Sequence, residues 1–467
     1  MISSTSYIPH ITESSNQGLI SINASGHYFV DANKHGFIVI GQNDAIAWPG
    51  LNPLLGRFCP QATEAYVADL RRHGINVSRV MMEYAQHPYT YLENPVGFFS
   101  PIIVQFWDDF LLVAERLGLY LLLTPFDTFW QEKNWNRYPY HKRMGGPCTT
   151  KRSWLTEQNS IRLQRNRWEF VIQRWGNSPA IFAWDIMNEI DNCWRCTPQE
   201  IDHYITEIAC YVRELEMKHW GRSHLLTAST LKATPEGELS EVIYNHPCLD
   251  FVNTHLYPGP GVGKPVDAIA CTLEVIESVR YALDHIRTPR PYFDSESGPI
   301  TQWISDIELD KRYHHNMSWA HLATGAAGSG MRWPYSDPHC IHPELRKNLW
   351  GLSKFAENID WANFDSCPLT IQTRADSIIS TSCGDAHLAI AWLLKDTRKK
   401  GHIALDNLPT TILNEWNEGL YLIEFWDTYA GRCIASSVEC ASVGQLTFNL
   451  PRFDSKVEDV ALLIRPI

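Results

Sequence analysis

The chain has 467 residues, with 40 Lys plus Arg against 52 Asp plus Glu, for a formal charge of −12. That balance excludes a dedicated nucleic-acid binder. With 44% hydrophobic and 20% charged residues, wholesale disorder and collagen-like or coiled-coil designs are excluded too. The 18 Trp, 19 Tyr and 18 Phe suit either a surface that stacks flat ligands, sugars among them, or extra core mass.

Residues 1–20 are rich in Ser, Thr and Asn without periodicity and read as an extended lead-in. They carry neither a basic n-region nor an apolar h-region, and no window approaches 18 uninterrupted apolar residues. We therefore expect a soluble protein without a membrane partner. Its location is either the cytoplasm or outside the cell, reached by another route or after removal of a signal. Oligomeric state is not legible. Twelve cysteines are scattered along the chain, unlike the dense spacing of a small disulfide scaffold.

From about residue 37, short apolar runs alternate with helical patterns, the signature of repeated βα units. Strands are expected at 37–40, 77–82, 120–125, 181–187, 224–228, 251–254, 291–294 and 330–333, and eight is the number that closes a (β/α)8 barrel. Two helix starts are sharply marked. Ser100 precedes Pro101 and the apolar stripe Ile103, Phe106, Trp107, Phe110, Leu111 and Leu117, which ends at Gly118. Thr197, Pro198 and Glu200 have capping-box spacing. After about residue 360 the helical period stops and alternating stretches such as LTIQTRA, HLAIAWLL, GLYLIEFWDT and ASVGQLTFNL take over, which predicts a β-sandwich. The expected organisation is thus α/β: a lead-in over 1–20, a (β/α)8 barrel over 21–364 and a small all-β sandwich over 365–467, packed together because no Gly/Ser- or Pro-rich linker separates them.

In such a barrel the chemistry sits at the C-terminal ends of the strands, and the residues there are unusually polar. Strand one leads to Gln42, Asn43 and Asp44, with Trp48 just beyond. Strand two holds Arg79 and reaches Glu83, and strand three ends at Phe126 and Asp127. Strand four ends in Asn188-Glu189, strand six in His255 and Tyr257, strand seven in Glu296, and strand eight in Arg332 and Trp333. Two glutamates facing each other across a barrel mouth suit glycoside cleavage with retention, which needs carboxyl groups roughly 5–5.5 Å apart, one protonating the leaving oxygen and one attacking the anomeric carbon. Their surroundings are expected to push the two pKa values in opposite directions.

Asn-Glu at the fourth strand, His-x-Tyr at the sixth, Glu at the seventh and Trp at the eighth together resemble glycoside hydrolase clan A, family 5 most of all, over about residues 20–360. The resemblance implies that Glu189 is the general acid/base and Glu296 the nucleophile. It also implies that Asn188 binds the sugar 2-hydroxyl, Arg79 holds the nucleophile ionised, Tyr257 donates to Glu296, His255 lines the same subsite and Trp333 is the stacking floor. Each of these has a plainer alternative: Arg79 as an ion pair with Asp185 or Glu83, His255 as a satisfied rim histidine, Trp333 as barrel packing. Asn43, Trp48, Asp127 and Trp135 are expected to bind substrate or support the carboxylates. The third strand, LLLTPFDTFWQ, departs from the family's histidine-bearing end. The long connection after it, with Trp130, Trp135, Tyr138, Tyr140 and Trp154, either walls the cleft or is a packed insertion.

The expected activity is that of a retaining hydrolase of β-linked glycans, cellulase-like first and mannanase second. A transglycosylase using the same residues and a non-catalytic carbohydrate-binding barrel are the alternatives. No metal or organic cofactor is needed for this chemistry. Cys193 and Cys196 in CWRC read as free thiols or a local disulfide, since no further zinc ligands stand at partner spacing. The C-terminal domain reads as structural support, or as a carbohydrate binder through Trp392, Trp416 and Trp426.

Overall fold

The structure is a computed structural model that describes residues 18–85, 90–259, 266–298, 304, 306–334, 341–399, 405, 407–414, 416–442, 444–454 and 456–467. Most of the expected lead-in, residues 1–17, lies outside them.

The barrel strands are β1 (Val39–Ala45), β2 (Val77–Met81), β3 (Tyr120–Thr124), β4 (Ile181–Asp185), β5 (Leu225–Thr227), β6 (Val252–Leu256), β7 (Tyr292–Ser297) and β8 (Gly328–Arg332). All pair in parallel and in order, with β8 returning to β1. β5 is interrupted at Ala228: Leu225–Thr227 pairs with β4, while the short continuation Ser229–Thr230 pairs with β6 and closes the ring. Each strand is followed by a helix: α1 (Pro60–Arg72), α2 (Pro101–Leu117), α3 (Gln158–Trp175), α4 (Pro198–Trp220), α5 (Glu238–Tyr244), α6 (Ala268–His285), α7 (Ile307–Thr324) and α8 (Pro343–Ala356). This is a (β/α)8 barrel.

The marked helices form where expected. α2 buries Ile103, Phe106, Trp107, Phe110 and Leu111 and stops at Gly118, whose φ of 69° is the left-handed conformation glycine adopts without strain. Ser100 makes no side-chain cap, so Pro101 and the apolar stripe alone set its start. α4 opens on the full reciprocal capping box of Thr197 and Glu200.

Several strands end later than the apolar runs suggest. β1 begins at Val39 and runs through Gln42, Asn43 and Asp44, which were expected beyond its end. Those side chains are buried because they find partners: Gln42 Nε2 donates to the Tyr66 hydroxyl at 2.6 Å, and that hydroxyl donates to Asp44 Oδ2 at 2.5 Å. β6 likewise includes His255, and β7 includes Glu296.

The N-terminal end of the barrel is sealed by a small antiparallel sheet of Ser21–Ile22, Phe29–Val30 and Gly36–Phe37. Phe29 meets Phe182, Phe251 and Phe293 edge-on at 5.1, 5.6 and 6.2 Å, an aromatic floor that leaves only the opposite mouth for chemistry.

The C-terminal strands are β9 (Cys367–Pro368), β10 (Thr370–Thr373), β11 (Ile378–Gly384), β12 (Ala389–Lys395), β13 (Pro409–Leu413), β14 (Gly419–Asp427), β15 (Arg432–Ala441), β16 (Gln445–Asn449) and β17 (Asp459–Pro466). They form two antiparallel sheets, ordered β9-β11-β12-β17-β14-β15 and β10-β13-β16. The central strands of the larger sheet, β12 and β17, are buried on both faces. Leu393, Ile423, Phe425 and Leu462 face the smaller sheet, while Trp392, Leu394, Trp426 and Leu463 join the barrel core. Trp426 packs edge-on to Phe355 of α8 at 5.6 Å, and Asp459 Oδ2 accepts from Trp392 Nε1 at 2.7 Å and lies 2.8 Å from His315 Nε2 on α7. Trp392, Trp416 and Trp426 are all buried, so none of the three offers a face to a glycan. Among the described residues no helix is long and apolar enough to cross a membrane.

Candidate active site

Arg79, fully buried on β2, is the hub of the barrel mouth. Its Nη1 donates to Glu296 Oε2 at 2.8 Å and to Asn43 Oδ1 at 3.1 Å; its Nη2 donates to Asp185 Oδ2 at 2.9 Å and to Asn188 Oδ1 at 2.5 Å. Of the two alternative ion pairs expected for Arg79, the one with Asp185 forms and the one with Glu83 does not. Arg79 pairs with Asp185 as well as Glu296, while Glu83 pairs instead with Arg167 at 3.2 Å. With Ser229 Oγ as a fifth acceptor at 3.4 Å from Nη2, the guanidinium fork is held in one orientation, which a lysine ammonium would not be.

Glu296 Oε1 accepts a short hydrogen bond from the Tyr257 hydroxyl, so each carboxyl oxygen of this residue has a donor. Glu189 stands differently. His255 Nδ1 lies 2.9 Å from its Oε1, and its Oε2 is buried without a partner among the described residues. Burial, with Arg79 adding to it, holds the His255 imidazole well below its usual pKa, so the ring is neutral. The oxygen left free on Glu189 is therefore the one able to carry a proton into the mouth.

Burial raises the pKa of both glutamates, contrary to the expected opposite shifts. At Glu189 the neighbouring Glu296, Asp127 and Asp191 add to that rise and drive it well above the ordinary carboxylate range. At Glu296 the Arg79 charge, the Tyr257 hydroxyl and the Arg79 hydrogen bond oppose it. The two groups are separated by the size of the shift rather than its sign, with Glu189 the more strongly raised of the pair. One oxygen of each carboxyl and a ring nitrogen of His255 lie within 4.8 Å of one another. That spacing could hold a metal ion, although Arg79 already supplies a positive charge to Glu296 there.

The remaining expected residues divide. Asn188 lies in the cluster, its Nδ2 donating to Asp127 Oδ1 at 2.7 Å. Asp127 also caps the helix Thr128–Lys133 through Phe129 N and Trp130 N, and burial lifts its carboxyl to about 6. Asn43 donates to the carbonyls of Ser295 and Met331 at 2.8 and 3.0 Å, which makes it a brace for Arg79 with its polar atoms spent on protein. Trp333 follows β8 and meets Trp48 edge-on at 4.8 Å; with exposures of 6% and 3%, both rings are mostly covered. Trp48 Nε1 donates to the Tyr84 hydroxyl at 3.1 Å.

The loop after β3 is chiefly a packed aromatic insertion. Tyr138 stacks on Tyr140 at 5.5 Å with Trp154 edge-on to both, and Trp135 stacks on Tyr138 and meets His141 rather than either carboxylate. Buried Arg167 pins this loop from behind through Glu83, Glu93 and the Pro125 carbonyl. Cys193 and Cys196 are free thiols with Sγ atoms 3.3 Å apart.

Two hydroxyls escaped the sequence reading. Ser229 Oγ accepts from the Glu189 amide at 3.1 Å and donates to Asp185 Oδ2 at 2.9 Å; Thr128 Oγ1 donates to the Glu189 carbonyl at 2.7 Å. Ser229 is placed by the interruption of β5, which its residue pattern, T-A-S-T, does not announce.

No protein-family model matches the chain. Over 166 residues it is 30% identical to mannan endo-1,4-beta-mannosidase A of Podospora anserina, covering 34% of this chain and 43% of that protein. Over 219 residues it is 26% identical to mannan endo-1,4-beta-mannosidase 7 of Arabidopsis thaliana, covering 41% and 48%. The chain thus spans less than half the length of these relatives. In fold it is similar to a glycoside hydrolase family 5 structure from Bacteroides vulgatus, with a TM-score of 0.60, 12% identity and coverage of 97% of this chain and 95% of that one. The resemblance to glycoside hydrolase clan A, and to family 5 within it, holds over about a third of the chain in sequence and nearly all of it in fold.

Proposed function

We propose that the chain is a retaining β-glycosidase acting on β-1,4-linked mannan. The observation that carries the reaction class is the closeness of the two carboxyl groups, an oxygen of Glu189 within 4.8 Å of one of Glu296. That suits direct attack by one carboxylate and not the roughly 6.5–9.5 Å needed to seat a water between them. The cellulase-like first expectation gives way to mannan, because relatives similar in sequence are named as mannan endo-1,4-beta-mannosidases.

In this reading Glu296, oriented by Arg79 and Tyr257, attacks the anomeric carbon while Glu189 gives the proton on Oε2 to the departing oxygen. The product of this step is a covalent glycosyl-enzyme and a free sugar. Glu189, now ionised, takes a proton from water, which attacks the same carbon and releases Glu296. Asn188, its carbonyl on Arg79 and its amide on Asp127, keeps a second amide hydrogen for the sugar 2-hydroxyl. A sugar acceptor in place of water would make the same residues a transglycosylase.

The test is a chain-length-resolved product screen of wild type and Glu296→Ala on β-mannan, β-glucan and xylan. Cleavage of mannan by wild type and not by the variant is expected. Preference for glucan would overturn the substrate, and undiminished cleavage by Glu296→Ala would overturn the mechanism.

A further inference from the structure

Glu189 is one of five non-glycine residues with positive φ among the described residues, at φ 48° and ψ 54°. Left-handed backbone is disfavoured for a side chain with a Cβ and persists only where the surroundings over-determine it. Here both backbone polar groups of the residue are held, one from the continuation of β5 and one from the short helix that follows β3. From the β5 side, Ser229 Oγ accepts the Glu189 N–H at 3.1 Å. From the β3 side, Thr128 Oγ1 donates to the Glu189 carbonyl at 2.7 Å and lies 3.0 Å from the Asn188 carbonyl. The Glu189 carbonyl also accepts from Asn192 N at 2.8 Å, which turns the chain away from the mouth. A shift of this one residue towards an ordinary backbone conformation would swing its Cα–Cβ bond and take the carboxyl off His255.

We propose that Thr128 and Ser229 are positioning residues for Glu189: their two hydroxyls clamp its left-handed backbone from either side and so aim the unpartnered carboxyl oxygen into the barrel mouth. The proposal rests on the reading of Glu189 as the proton donor. It differs from a general structural role in one respect. The clamp acts on Glu189 and leaves the Arg79–Glu296–Tyr257 arrangement of the attacking carboxylate in place, so in kcat/KM, which reports formation of the glycosyl-enzyme, its loss is felt only by leaving groups that need a proton. Thr128 is the cleaner probe, because Ser229 also serves Asp185 through Oγ at 2.9 Å and through its amide at 3.0 Å, and its Oγ accepts from Arg79 Nη2 at 3.4 Å.

The experiment pairs two substrates with the same glycone, a 2,4-dinitrophenyl β-mannoside and a β-1,4-mannooligosaccharide, on wild type, Thr128→Val, Thr128→Ser, Ser229→Ala and Glu189→Ala. Thr128→Val keeps the shape and removes the donor. Its kcat/KM on the oligosaccharide is expected to fall about tenfold to a hundredfold, with a loss of about threefold or less on the activated glycoside. Thr128→Ser restores both rates. Ser229→Ala shifts the ratio the same way and keeps the test alive if the valine variant does not fold. Equal losses on both substrates, or no loss on either, overturn the clamp while Glu189→Ala still shows the selectivity. If Glu189→Ala shows none, the reading of Glu189 fails and the clamp with it.

Discussion

Replacing Arg79 by methionine tests the centre of the site most severely. The guanidinium donates to Glu296 and Asp185, whose side chains have exposures of 8% and 0%, and it is itself fully buried. Removing one partner of a buried ion pair costs about 3–5 kcal/mol because the charge left behind is uncompensated. Against a typical total of about 5–15 kcal/mol, that is a large share of the stability. Asp185 keeps two hydrogen bonds from Ser229 and Glu296 keeps one from Tyr257, so the loss should stay within that range and the fold survive. The cost also has a pH signature. Burial already raises both carboxyls despite Arg79, and without it they rise further above their unfolded values. The folded variant then binds more protons than the unfolded chain, so its stability falls as pH rises. Urea unfolding midpoints of wild type and Arg79→Met should be close near pH 4 and diverge towards pH 7. Arg79→Lys should fall between them, since one ammonium cannot reach both carboxylates in the fork geometry. A methionine variant with the wild-type midpoint at pH 7, or a gap that widens towards acid, would refute this account.

Three other outcomes follow from the same geometry. The rate should form a bell in pH, its acid limb set by protonation of Glu296 and its alkaline limb by ionisation of Glu189, whose raised pKa carries activity above the usual carboxylate range. Glu189→Gln should lose the alkaline limb on an aryl glycoside whose leaving group needs a proton, and its persistence would count against the assignment. Tyr257→Phe removes one of the two donors to Glu296; kcat should drop about tenfold to a hundredfold, the worth of a hydrogen bond to a charged group, and the acid limb should move up. An unmoved limb would show that the hydroxyl does not tune the carboxylate. Phe182→Ala opens the aromatic floor formed with Phe29, Phe251 and Phe293 and should cost about 3–5 kcal/mol in urea unfolding. The pH profile of the surviving activity should not change, because the floor lies at the other end of the barrel.

The barrel was legible because short apolar runs such as those of β3 and β4 recur between helical patterns, and that feature survives without any knowledge of partners. Strand ends were not, and β1, β6 and β7 show why. Each continues through polar residues whose burial is made tolerable by a partner distant in sequence, such as Tyr66 for Gln42 and Asp44. The interruption of β5 is likewise a consequence of ring closure, set by what β4 and β6 demand on either side. In the sandwich, the burial of Trp392 and Trp426 against the barrel depends on which face of the larger sheet turns inward, and alternation alone leaves that choice open.

The site divides by charge. An arginine in the middle of an apolar strand cannot be buried without acids, so Arg79 points to carboxylates nearby, and the strand ends supply the candidates. The pattern fixes that Asn43 and Trp48 reach the barrel mouth but not which way their polar atoms turn. Asn43 turned to the carbonyls of Ser295 and Met331, and Trp48 to the Tyr84 hydroxyl. Hydroxyls are the hardest to read. Thr128 and Ser229 carry no charge, are common in strands and loops, and satisfy themselves in many environments, so nothing in composition or spacing marks them. What singles them out is a property of their neighbour, the left-handed backbone of Glu189, which exists only in three dimensions. A residue that acts through another residue's conformation leaves its trace in the structure, and the sequence holds no pattern from which to infer it.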